Sequence, residues 1–482
     1  MLSSAAFLSI LPESLVLILA VVLLVVEPFW REQRRRNLGW VTAIGLFLTI
    51  VISIVVGRPG APVGTFGNTI RFDWLAFFFK MLFIFGAGIT ALFLMDHEKV
   101  GNRGESYILM LASTIGMCLM ASAADLILLY LAIETTSIPL YVLSGFMLAD
   151  DRSTEAGFKY LLYGAMTSAI MLYGFSLLYG FTGSTSLFAL AGAFGSAKVP
   201  AAALLGVIFL ILVGLGSKVS LVPFHFWAPD VYEGSPTPVA GFLSTASKAA
   251  GFAVVARLFI VAFPAASIDW AAILAILSAV TMTLGNLLAL PQHNLKRLLA
   301  FSSIAHAGYA MIGIVAVSQL GVASTVFYML AYMVTNLAAF GIVMAVGRTA
   351  DSDEYESYRG LSRRSPWLAL VMLAAFLSLA GMPPFGGFVA KIVVFAAGLK
   401  AHYTWLVVIG ILNSIVGLYY YLNVMKYVYL FRMENNDEDR HPIAVSRPHA
   451  LALIALVVAV ILVGTVFAPW FGFADAAAAN LF

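Results

Sequence analysis

Apolar runs of about 18 residues or more recur along the whole chain, and each is long enough to cross a hydrocarbon core about 30 Å thick. Of the 482 residues, 62% are apolar and 11% are charged, whereas a soluble domain carries roughly 25% charged residues. A transmembrane barrel would show short strands of alternating polarity instead, and the sequence has no such pattern. We therefore predict an all-α, polytopic membrane protein. Its spans, about fourteen in number, are predicted near 8–29, 39–57, 73–95, 105–122, 124–147, 158–181, 203–233, 238–262, 270–290, 300–318, 322–346, 366–400, 404–431 and 450–472.

Lysine and arginine in the loops orient the predicted helices, because such residues collect on the cytoplasmic side. Loops after even-numbered spans carry only Arg58, Arg71, Lys198 and Lys400, and the loops after odd-numbered spans carry the other loop cations. The odd loops should therefore face the cytoplasm, and both termini should face the periplasm of a bacterial inner membrane. The N-terminal run "LVLILAVVLLVVEPFW" leads into "REQRRR" without a small-residue cleavage site, which favours a retained helix over a signal peptide.

Two of the predicted spans are too long for a single crossing. Residues 203–233 and 366–400 make 31 and 35 residues, and an unbroken helix of 31 residues would be about 46 Å long. Both contain a Gly/Pro interruption, in "GLGSKVSLVP" and in "LAGMPPFGGFVAK". Proline removes a backbone donor and clashes with the preceding turn, and freed backbone groups at membrane depth need protein or water as partners. Both spans are therefore predicted to be broken helices.

The two predicted breaks lie five spans apart, in spans 7 and 12. Spans 4–8 and 9–13 should then form two five-helix repeats, and because five is an odd number the repeats are inverted relative to each other. Pairs of interrupted helices in inverted repeats mark ion sites near the midplane of transporter folds. The predicted divisions are a three-helix N-terminal segment, the first repeat, the second repeat and a C-terminal helix, at 1–104, 105–262, 270–431 and 450–482.

Three lysines occur where a membrane interior should be apolar. Lys218 and Lys391 lie beside the two breaks, and Lys248 lies near the middle of the eighth span, among small residues that permit close helix packing. A charge at the bilayer centre costs several kcal/mol, and desolvation favours the neutral amine. We interpret the three lysines as proton carriers that alternate between ammonium and amine. The alternative is a set of static groups satisfied by buried partners.

Glu134 is the acidic residue near the middle of its apolar span, in "LYLAIETTSIPLYVLSGF". A carboxylate near Lys218 would stabilise the ammonium form, so the two residues are expected to form a switchable ion pair. His306, in "LLAFSSIAHAGYAMIG", could relay protons by changing tautomer, or it could be a satisfied packing residue. His225 and Asp230 could line a wet entrance or could bond the loosened backbone of the seventh span.

Four further intramembrane cations leave their roles open. Arg257 and Lys426 lie within a turn or two of helix ends, and we expect their long stems to reach the interface. Lys159, near the cytoplasmic end of the sixth span, could do the same. Lys80, in "AFFFKMLF", could face a partner or lipid headgroups.

The sequence offers no pattern for a bound metal or cofactor. Cys118 is the single cysteine, whereas an iron–sulfur cluster needs several thiolates. The 7 histidines are scattered, and the chain has neither a Walker A loop nor a GxGxxG fingerprint between a strand and a helix. We expect no redox centre, metal or nucleotide in this chain, and no nucleic acid as a partner.

Three stretches of the sequence resemble signatures of the antiporter-like membrane subunits of respiratory complex I. They are "GSKVSLVPFHFWAPDVYEGSPTPVAGFLSTASKAAGF", "NLKRLLAFSSIAHAGY" and "LAGMPPFGGFVAK", and the resemblance covers roughly residues 105–430. Three such subunits belong to the family, and this chain is most similar to one of them. The similarity lies in its fourteen spans, in the lack of a long lateral helix, and in a lysine rather than a glutamate at position 391.

The resemblance implies one proton half-channel in each repeat. The relay residues that it carries over are Glu134, Lys218, Lys248, His306, Lys391 and Lys159. In this relay Glu134 and Lys218 form the switchable pair, Lys159 modulates the pair, and Lys391 is the terminal carrier of the second repeat. The lysine of the eighth span and the histidine of the tenth connect the two ends.

The activity implied by the resemblance is proton translocation by a subunit of a NADH:quinone oxidoreductase, which is a translocase. NADH, FMN, iron–sulfur clusters and quinone would be held by partner subunits. The partners would be the other membrane subunits, including the other antiporter-like ones, and indirectly the peripheral arm, all within a lipid bilayer. Two other functions stay open: a subunit of an Mrp-type cation/proton antiporter, which shares much of the signature, and a passive scaffold whose lysines serve packing specificity.

Overall fold

The structure is a computed structural model, and it describes residues 4–30, 32–195, 200–433 and 442–482. Within these residues, 13 helices are long and apolar enough to cross a membrane. The protein is therefore a multi-pass helical membrane protein, as the apolar runs predicted. The elements that precede the first repeat are α1 Ser4–Ser9, α2 Leu11–Val26, α3 Leu38–Val56, β1 Val63–Thr65, β2 Ile70–Phe72, α4 Trp74–Leu94 and α5 Glu98–Gly101.

The two predicted repeats contain the helices that carry all the candidate site residues. The first repeat contains α6 Gly104–Ser122, α7 Leu126–Ser144, α8 Asp151–Thr182, α9 Leu187–Gly195, α10 Ala201–Val219, α11 Trp227–Gly234, α12 Thr237–Phe242 and α13 Lys248–Arg257. The second repeat contains α14 Ser267–Ala289, α15 Leu295–Val315, α16 Gln319–Ala350, α17 Leu361–Arg364, α18 Pro366–Ala380, α19 Gly386–Lys400 and α20 Thr404–Tyr429. The chain continues with α21 Arg447–Thr465 and α22 Phe467–Ala479.

Both predicted breaks are present. The first separates α10 from α11, and the residue that caps the end of α10 is Ser220, whose φ is 61°. The second separates α18 from α19, and the residue that caps the end of α18 is Gly381, whose φ is 84°. Because α18 and α19 have 15 residues each, neither is long enough to cross alone. Together they supply one broken crossing in addition to the 13 continuous candidates, which agrees with about fourteen spans.

The lengths of corresponding helices fit two related units. The fourth span of each predicted unit is the broken one, and the third span of each unit, α8 and α16, is a helix of 32 residues. Both exceed the predicted ranges 158–181 and 322–346, because each begins directly after an N-cap side chain, Asp150 or Ser318. The inverted relation between the units stays a prediction.

The centre of the protein is formed by the eighth and tenth spans. The spans Thr237–Ala262 and Leu295–Val315 are fully buried among the other helices. In the eighth span, π-helical turns at Leu243–Ser247 and Leu258–Ala262 flank α13. Such turns are rare and occur frequently at functional sites. The first of them ends immediately before Lys248.

Two elements differ from the sequence prediction. A short antiparallel hairpin follows α3, with Val63 opposite Phe72 and Thr65 opposite Ile70, where only a loop was expected. The predicted C-terminal helix at 450–482 is two helices, α21 and α22. Pro469 explains the division, because it has no N–H to donate to the carbonyl of Thr465.

The expectation that Arg257 reaches the membrane interface is wrong. Arg257 is 2% exposed, and its guanidinium binds both carboxylate oxygens of Asp73 at 2.7 and 2.8 Å. It also donates to the carbonyl of Ala121 at 3.0 and 3.1 Å. The planar guanidinium of arginine is well suited to a buried, bidentate pair of this kind. The sequence showed only that Arg257 lies near the end of its predicted helix, and it gave no sign of the partner Asp73.

Lys80 is paired within the protein. Its Nζ lies 2.6 Å from Glu13 Oε1 and donates to the carbonyl of Ser9 at 2.7 Å. Both charged side chains are buried. The pair therefore joins α4 to α2 and resolves the alternatives left by the sequence. Lys426, by contrast, is exposed near the end of α20.

Candidate functional site

Glu134 and Lys218 line one internal cavity of about 30 Å³. Glu134 accepts a hydrogen bond from Ser168 Oγ, and Lys218 Nζ donates to Ser137 Oγ at 2.8 Å. Among the described residues no ion pair joins the two charges directly. The cavity volume is enough for about two water molecules. The predicted pair is therefore brought together in one site, with a hydroxyl beside each charge and a small cavity shared by both.

The second half of the broken seventh span closes this cavity. Trp227, at the start of α11, lines the cavity beside Lys218 and donates its indole N–H to the carbonyl of Ser217 at 3.0 Å. Its ring stacks on Tyr160 of α8, with centroids 4.5 Å apart and 13° between the planes. The Ser217 carbonyl therefore accepts from both the Ser220 N–H and the indole, and the indole holds the start of α11 against the end of α10.

Lys248 is buried, with 2% of its surface exposed. Its Nζ donates to Ser303 Oγ of α15 at 2.7 Å and lies 5.9 Å from the centre of the Tyr232 ring. Ser303 lies in the predicted second repeat, so Lys248 joins a helix of one predicted repeat to a helix of the other. The π-helical turn before it and the full burial of both spans place this contact at the centre of the protein.

His306 lies one turn further along α15, between two tyrosines. Its Nδ1 is 2.7 Å from the Tyr328 hydroxyl, and its Nε2 is 3.4 Å from the Tyr421 hydroxyl. Tyr421 also hydrogen-bonds Ser302. A ring with a hydroxyl at each nitrogen can accept a proton on one side and release it on the other, which is what a tautomeric relay requires.

Lys391 lies at the second break, on α19. Its Nζ donates to the carbonyl of Ala380, the last residue of α18, at 3.0 Å, and lies 4.9 Å from the centre of the Tyr309 ring. A cavity of about 10 Å³, enough for about one water, is lined by both His306 and Ala390, the neighbour of Lys391. The cavity therefore extends from His306 to the residue that precedes Lys391 on α19.

Lys218 and Lys391, the lysines beside the two breaks, lie at similar positions although they belong to different halves of their broken helices. Lys218 belongs to the last turn of α10, whereas Lys391 belongs to α19 and extends back to the end of α18. In both cases the ammonium lies at the C-terminal end of the first half-helix. The free carbonyls and the helix dipole favour a cation at that end.

Lys159 lies outside the Glu134–Lys218 cavity. Its Nζ is 2.5 Å from Asp230 Oδ2 and 2.7 Å from Glu155 Oε1. The other oxygen of Asp230 binds Arg297 of α15 at 2.8 Å. Asp230 on α11 therefore joins a helix of the first repeat to a helix of the second. The sequence singled out Lys159 and Asp230 separately, and it did not show that they meet.

His225 shows no clear role in this site. It is buried, its Nδ1 has no hydrogen-bond partner in the described structure, and its ring lies 4.6 Å from that of Phe226. No group of three or more His, Cys, Asp or Glu side chains in the described part of the chain could hold a metal ion.

The hydroxyl partners of the charged residues were not found from the sequence. They are Ser137, Ser168, Ser302, Ser303, Tyr328 and Tyr421. Serine and tyrosine are common in membrane helices, so each is uninformative alone. The available signal was "FSSIAHAGY", where two serines, a histidine and a tyrosine fall within about two turns of one helix.

A family model described as NADH:quinone oxidoreductase/Mrp antiporter, TM, matches residues 123–417. The match includes both breaks and all the candidate relay residues. The chain belongs to this family of antiporter-like membrane subunits.

Its similarity extends to a particular kind of subunit. NADH-quinone oxidoreductase subunit N of Trichlorobacter lovleyi is 41% identical over 450 residues, which cover 92% of this chain and 91% of the relative. The protein of the same name from Moorella thermoacetica is 42% identical over 450 residues and 93% of each chain. These relatives carry the name of the family member that the sequence resembled.

Solved structures agree with the fold. A chain of respiratory complex I from Thermus thermophilus has a TM-score of 0.80 and 33% identity, with 96% of this chain and 98% of that chain covered. A chain of the Mrp complex from Dietzia has a TM-score of 0.83 at 20% identity, with 99% and 97% covered. At that identity the second likeness shows the fold alone.

Proposed function

We propose that the protein is a proton-translocating membrane subunit of a NADH-quinone oxidoreductase, of the subunit N type. The observation that supports this most directly is the series of ionisable groups Glu134, Lys218, Lys248, His306 and Lys391. The last three are buried, and the first two are partly buried beside one cavity. Their hydroxyl partners and two small cavities extend this series through both repeats. A scaffold needs no such series of ionisable groups within its membrane helices, and buried lysines are expensive to retain for packing alone.

The first step would be a change in the Glu134–Lys218 cavity. A carboxylate that approaches the lysine stabilises the ammonium form, and a carboxylate held back by Ser168 favours release of the proton. The cavity has room for the waters that would carry this proton. Since the two charges already line one cavity without a direct ion pair among the described residues, a small movement of either side chain would switch the site.

Lys159 would act on this pair as a positioning residue through α11. It binds Asp230, and Trp227 on the same short helix holds the end of α10 next to Lys218. When Lys159 releases Asp230, α11 loses one of its attachments to the first repeat. The arrangement gives a physical route for the modulating role that the family resemblance implies.

Lys248 would pass protons from the first repeat to the second. Its contact with Ser303 leads along α15 towards Ser302, Tyr421 and His306. The small cavity that extends from His306 to Ala390, the neighbour of Lys391, would then complete the relay. Lys391, at the second break, would be the terminal carrier.

The partners would be the other membrane subunits of the complex. NADH, FMN, iron–sulfur clusters and quinone would be bound by other subunits, and no redox step is assigned to this chain. The protein would lie in a bacterial inner membrane with both termini in the periplasm, as the loop cations indicate. The Mrp-type antiporter alternative is less supported, because the relatives covering most of the chain at about 40% identity carry the complex I name.

The test is proton translocation by the intact complex in vesicles. Lys218→Met and Lys248→Met should assemble and should lower the translocation rate by more than about tenfold, because each removes a proton-accepting group. Lys426→Met, which changes an exposed lysine, is the matched control. Wild-type translocation in both buried-lysine variants would contradict the mechanism. Sodium-dependent exchange by a complex that lacks NADH oxidation would instead favour the antiporter.

A further inference from the structure

Four lysine side chains are buried in the described part of the chain, and they divide into two pairs. Lys80 and Lys296 each lie next to a carboxylate, at 2.6 Å and 3.3 Å. Lys248 and Lys391 form no ion pair with any described residue. A buried ammonium without an opposite charge is costly, so these two lysines need another source of stabilisation.

Lys248 and Lys391 each lie over the ring of a tyrosine. Lys391 Nζ is 4.9 Å from the centre of the Tyr309 ring, and Lys248 Nζ is 5.9 Å from the centre of the Tyr232 ring. Within the described residues, they are the two lysines that lie over an aromatic ring. The quadrupole of a ring attracts an ammonium within about 6 Å of its centroid, most strongly where water is excluded. The buried lysines that lack a carboxylate are thus the ones that have a ring, and the shorter distance is that of Lys391.

Lys391 cannot reach a carboxylate on any helix that packs closely against its own. The helices packed against α19 are α15, α16, α18, α20 and α21, and neither they nor α19 contain an aspartate or a glutamate. Inside this chain, two groups therefore stabilise the Lys391 ammonium. They are the Ala380 carbonyl at the end of α18, at 3.0 Å, and the Tyr309 ring.

The titratable groups that these helices place around Lys391 and its tyrosine are a histidine and several tyrosines. They are His306 and Tyr309 on α15, Tyr328 and Tyr332 on α16, and Tyr420 and Tyr421 on α20. Helix α18 has no titratable side chain, and those of α21 lie at its start. Because neutral tyrosine and histidine side chains carry no negative charge at physiological pH, the ring face of Tyr309 is the feature that favours the ammonium over the amine.

Contacts that do not involve Lys391 hold the Tyr309 ring in place. Asn286 Nδ2 on α14 donates to the Tyr309 hydroxyl at 3.0 Å, and Asn286 Oδ1 accepts from the Tyr420 hydroxyl at 2.9 Å. The ring also makes T-shaped contacts with His306 and Phe395, with centroids 5.7 and 6.3 Å apart. Asn286 and Tyr309 are both buried. The ring is therefore a fixed part of the protein beside the lysine.

We propose that the Tyr309 ring is the counter-group of the Lys391 ammonium, in the role that Glu134 has beside Lys218. The inference rests on the proposed proton-translocating function and adds to it a residue that contacts the proton-carrying amine. A carboxylate stabilises an ammonium strongly, so release of the proton requires that the carboxylate move away. A ring stabilises the cation more weakly, so Lys391 can take up and release a proton beside a group that stays in place. The step is a proton transfer, and no bond between heavy atoms changes.

The first experiment compares Tyr309→Leu with Tyr309→Phe by the pH profile of proton translocation, measured with the intact complex in vesicles. In Tyr309→Leu the ammonium loses its ring, and we expect the alkaline limb of the profile to move to lower pH by about one unit. Tyr309→Phe keeps the ring and should stay close to wild type. It should also assemble, because Asn286 retains the Met282 carbonyl as an acceptor. A shift as large in Tyr309→Phe as in Tyr309→Leu would assign the effect to the hydroxyl and overturn the inference.

The second experiment separates the charge interaction from packing by fluorinating the ring. Phenylalanines with one, two and three ring fluorines are introduced at position 309 by nonsense suppression. Each fluorine withdraws electron density from the ring face and weakens its attraction for a cation, while the shape of the ring changes little. The alkaline limb should therefore move stepwise to lower pH along the series.

The same fluorinated series at Phe83 is the matched control. Phe83 is a fully buried ring of α4 that stacks on Phe79, with centroids 5.8 Å apart, and no cation of the described structure lies over it. The pH profile should stay constant along this control series. One unchanged profile for the whole series at position 309, or equal shifts in both series, would overturn the inference.

The proposed function and the role of the ring fail in different ways. If Lys391→Met abolishes translocation but fluorination at position 309 leaves the profile unchanged, Lys391 is a proton carrier without an aromatic counter-group. If Lys218→Met and Lys248→Met both translocate as wild type, the proposed function itself is wrong, whatever the profiles at position 309.

Discussion

Gly381 allows a specific test of the position of Lys391. Its φ of 84° lies in the left-handed region, and a Cβ there would come within 2.8 Å of Lys391 Cδ and 3.3 Å of Nζ. Gly381→Ala therefore has two effects. The left-handed alanine costs about 1–2 kcal/mol, and the displaced lysine loses its 3.0 Å bond to the Ala380 carbonyl, a charged hydrogen bond worth about 1.5–3 kcal/mol.

Gly183 provides the matched control for this substitution. It ends α8 with a φ of 69°, and a Cβ there would have nothing within 4 Å. Gly183→Ala should show the backbone strain alone, about 1–2 kcal/mol, measured as a fall in the thermal midpoint of the complex. Gly381→Ala should show a larger fall and should also lose most of its proton translocation in vesicles. If Gly381→Ala translocates protons as well as Gly183→Ala, the position of Lys391 at the helix end is not required.

Two further predictions concern buried charges away from the relay. Arg257→Met should lower the free energy of unfolding by about 3–5 kcal/mol, because it leaves the buried Asp73 carboxylate without its cation. The double variant Arg257→Met/Asp73→Leu should be less destabilised. If its loss of stability equals the sum of the losses in the two single variants, the pairing is contradicted. Burial raises the pKa of the Asp96 carboxyl, but hydrogen bonds from His449 and Ser446 and the charges of His449 and Arg348 bring it down to about 2. Since this value lies below the ordinary 3.8, the contribution of Asp96, about 2 kcal/mol, should be present above pH ~4 and lost as pH falls towards ~2. Thermal unfolding of wild type and Asp96→Asn should then converge on acidification, and a constant difference between them would refute this.

The sequence was informative wherever membrane physics constrains it strongly. Long apolar runs can only be spanning helices, and Gly/Pro pairs in runs of 31 and 35 residues can only be interruptions. Lys218 and Glu134 were placed in one site because a buried amine and a buried carboxylate each need compensation. The shared cavity agrees with that reasoning, and the roles of the two residues stay proposals.

The sequence was uninformative wherever partners come from distant parts of the chain. Arg257 binds Asp73, which is 184 residues away, and nothing near either residue identifies the other. Lys159 similarly meets Asp230 on the far side of the first break. The contact of Lys248 with Ser303 depends on how the two repeats pack, which hydrophobic periodicity does not encode.

Lys218 and Lys391 belong to different halves of their broken helices, and this difference affects how each would respond to a movement of the half-helices. Lys218 is carried by the half-helix whose end it occupies, so sliding of α11 leaves the distance between that amine and the end of α10 unchanged. Lys391 and its carbonyl acceptor are on opposite sides of the second break, so any displacement of α19 relative to α18 would change the length of their bond. Lys218 donates to Ser137 of α7 instead, so its bond depends on how α7 and α10 pack.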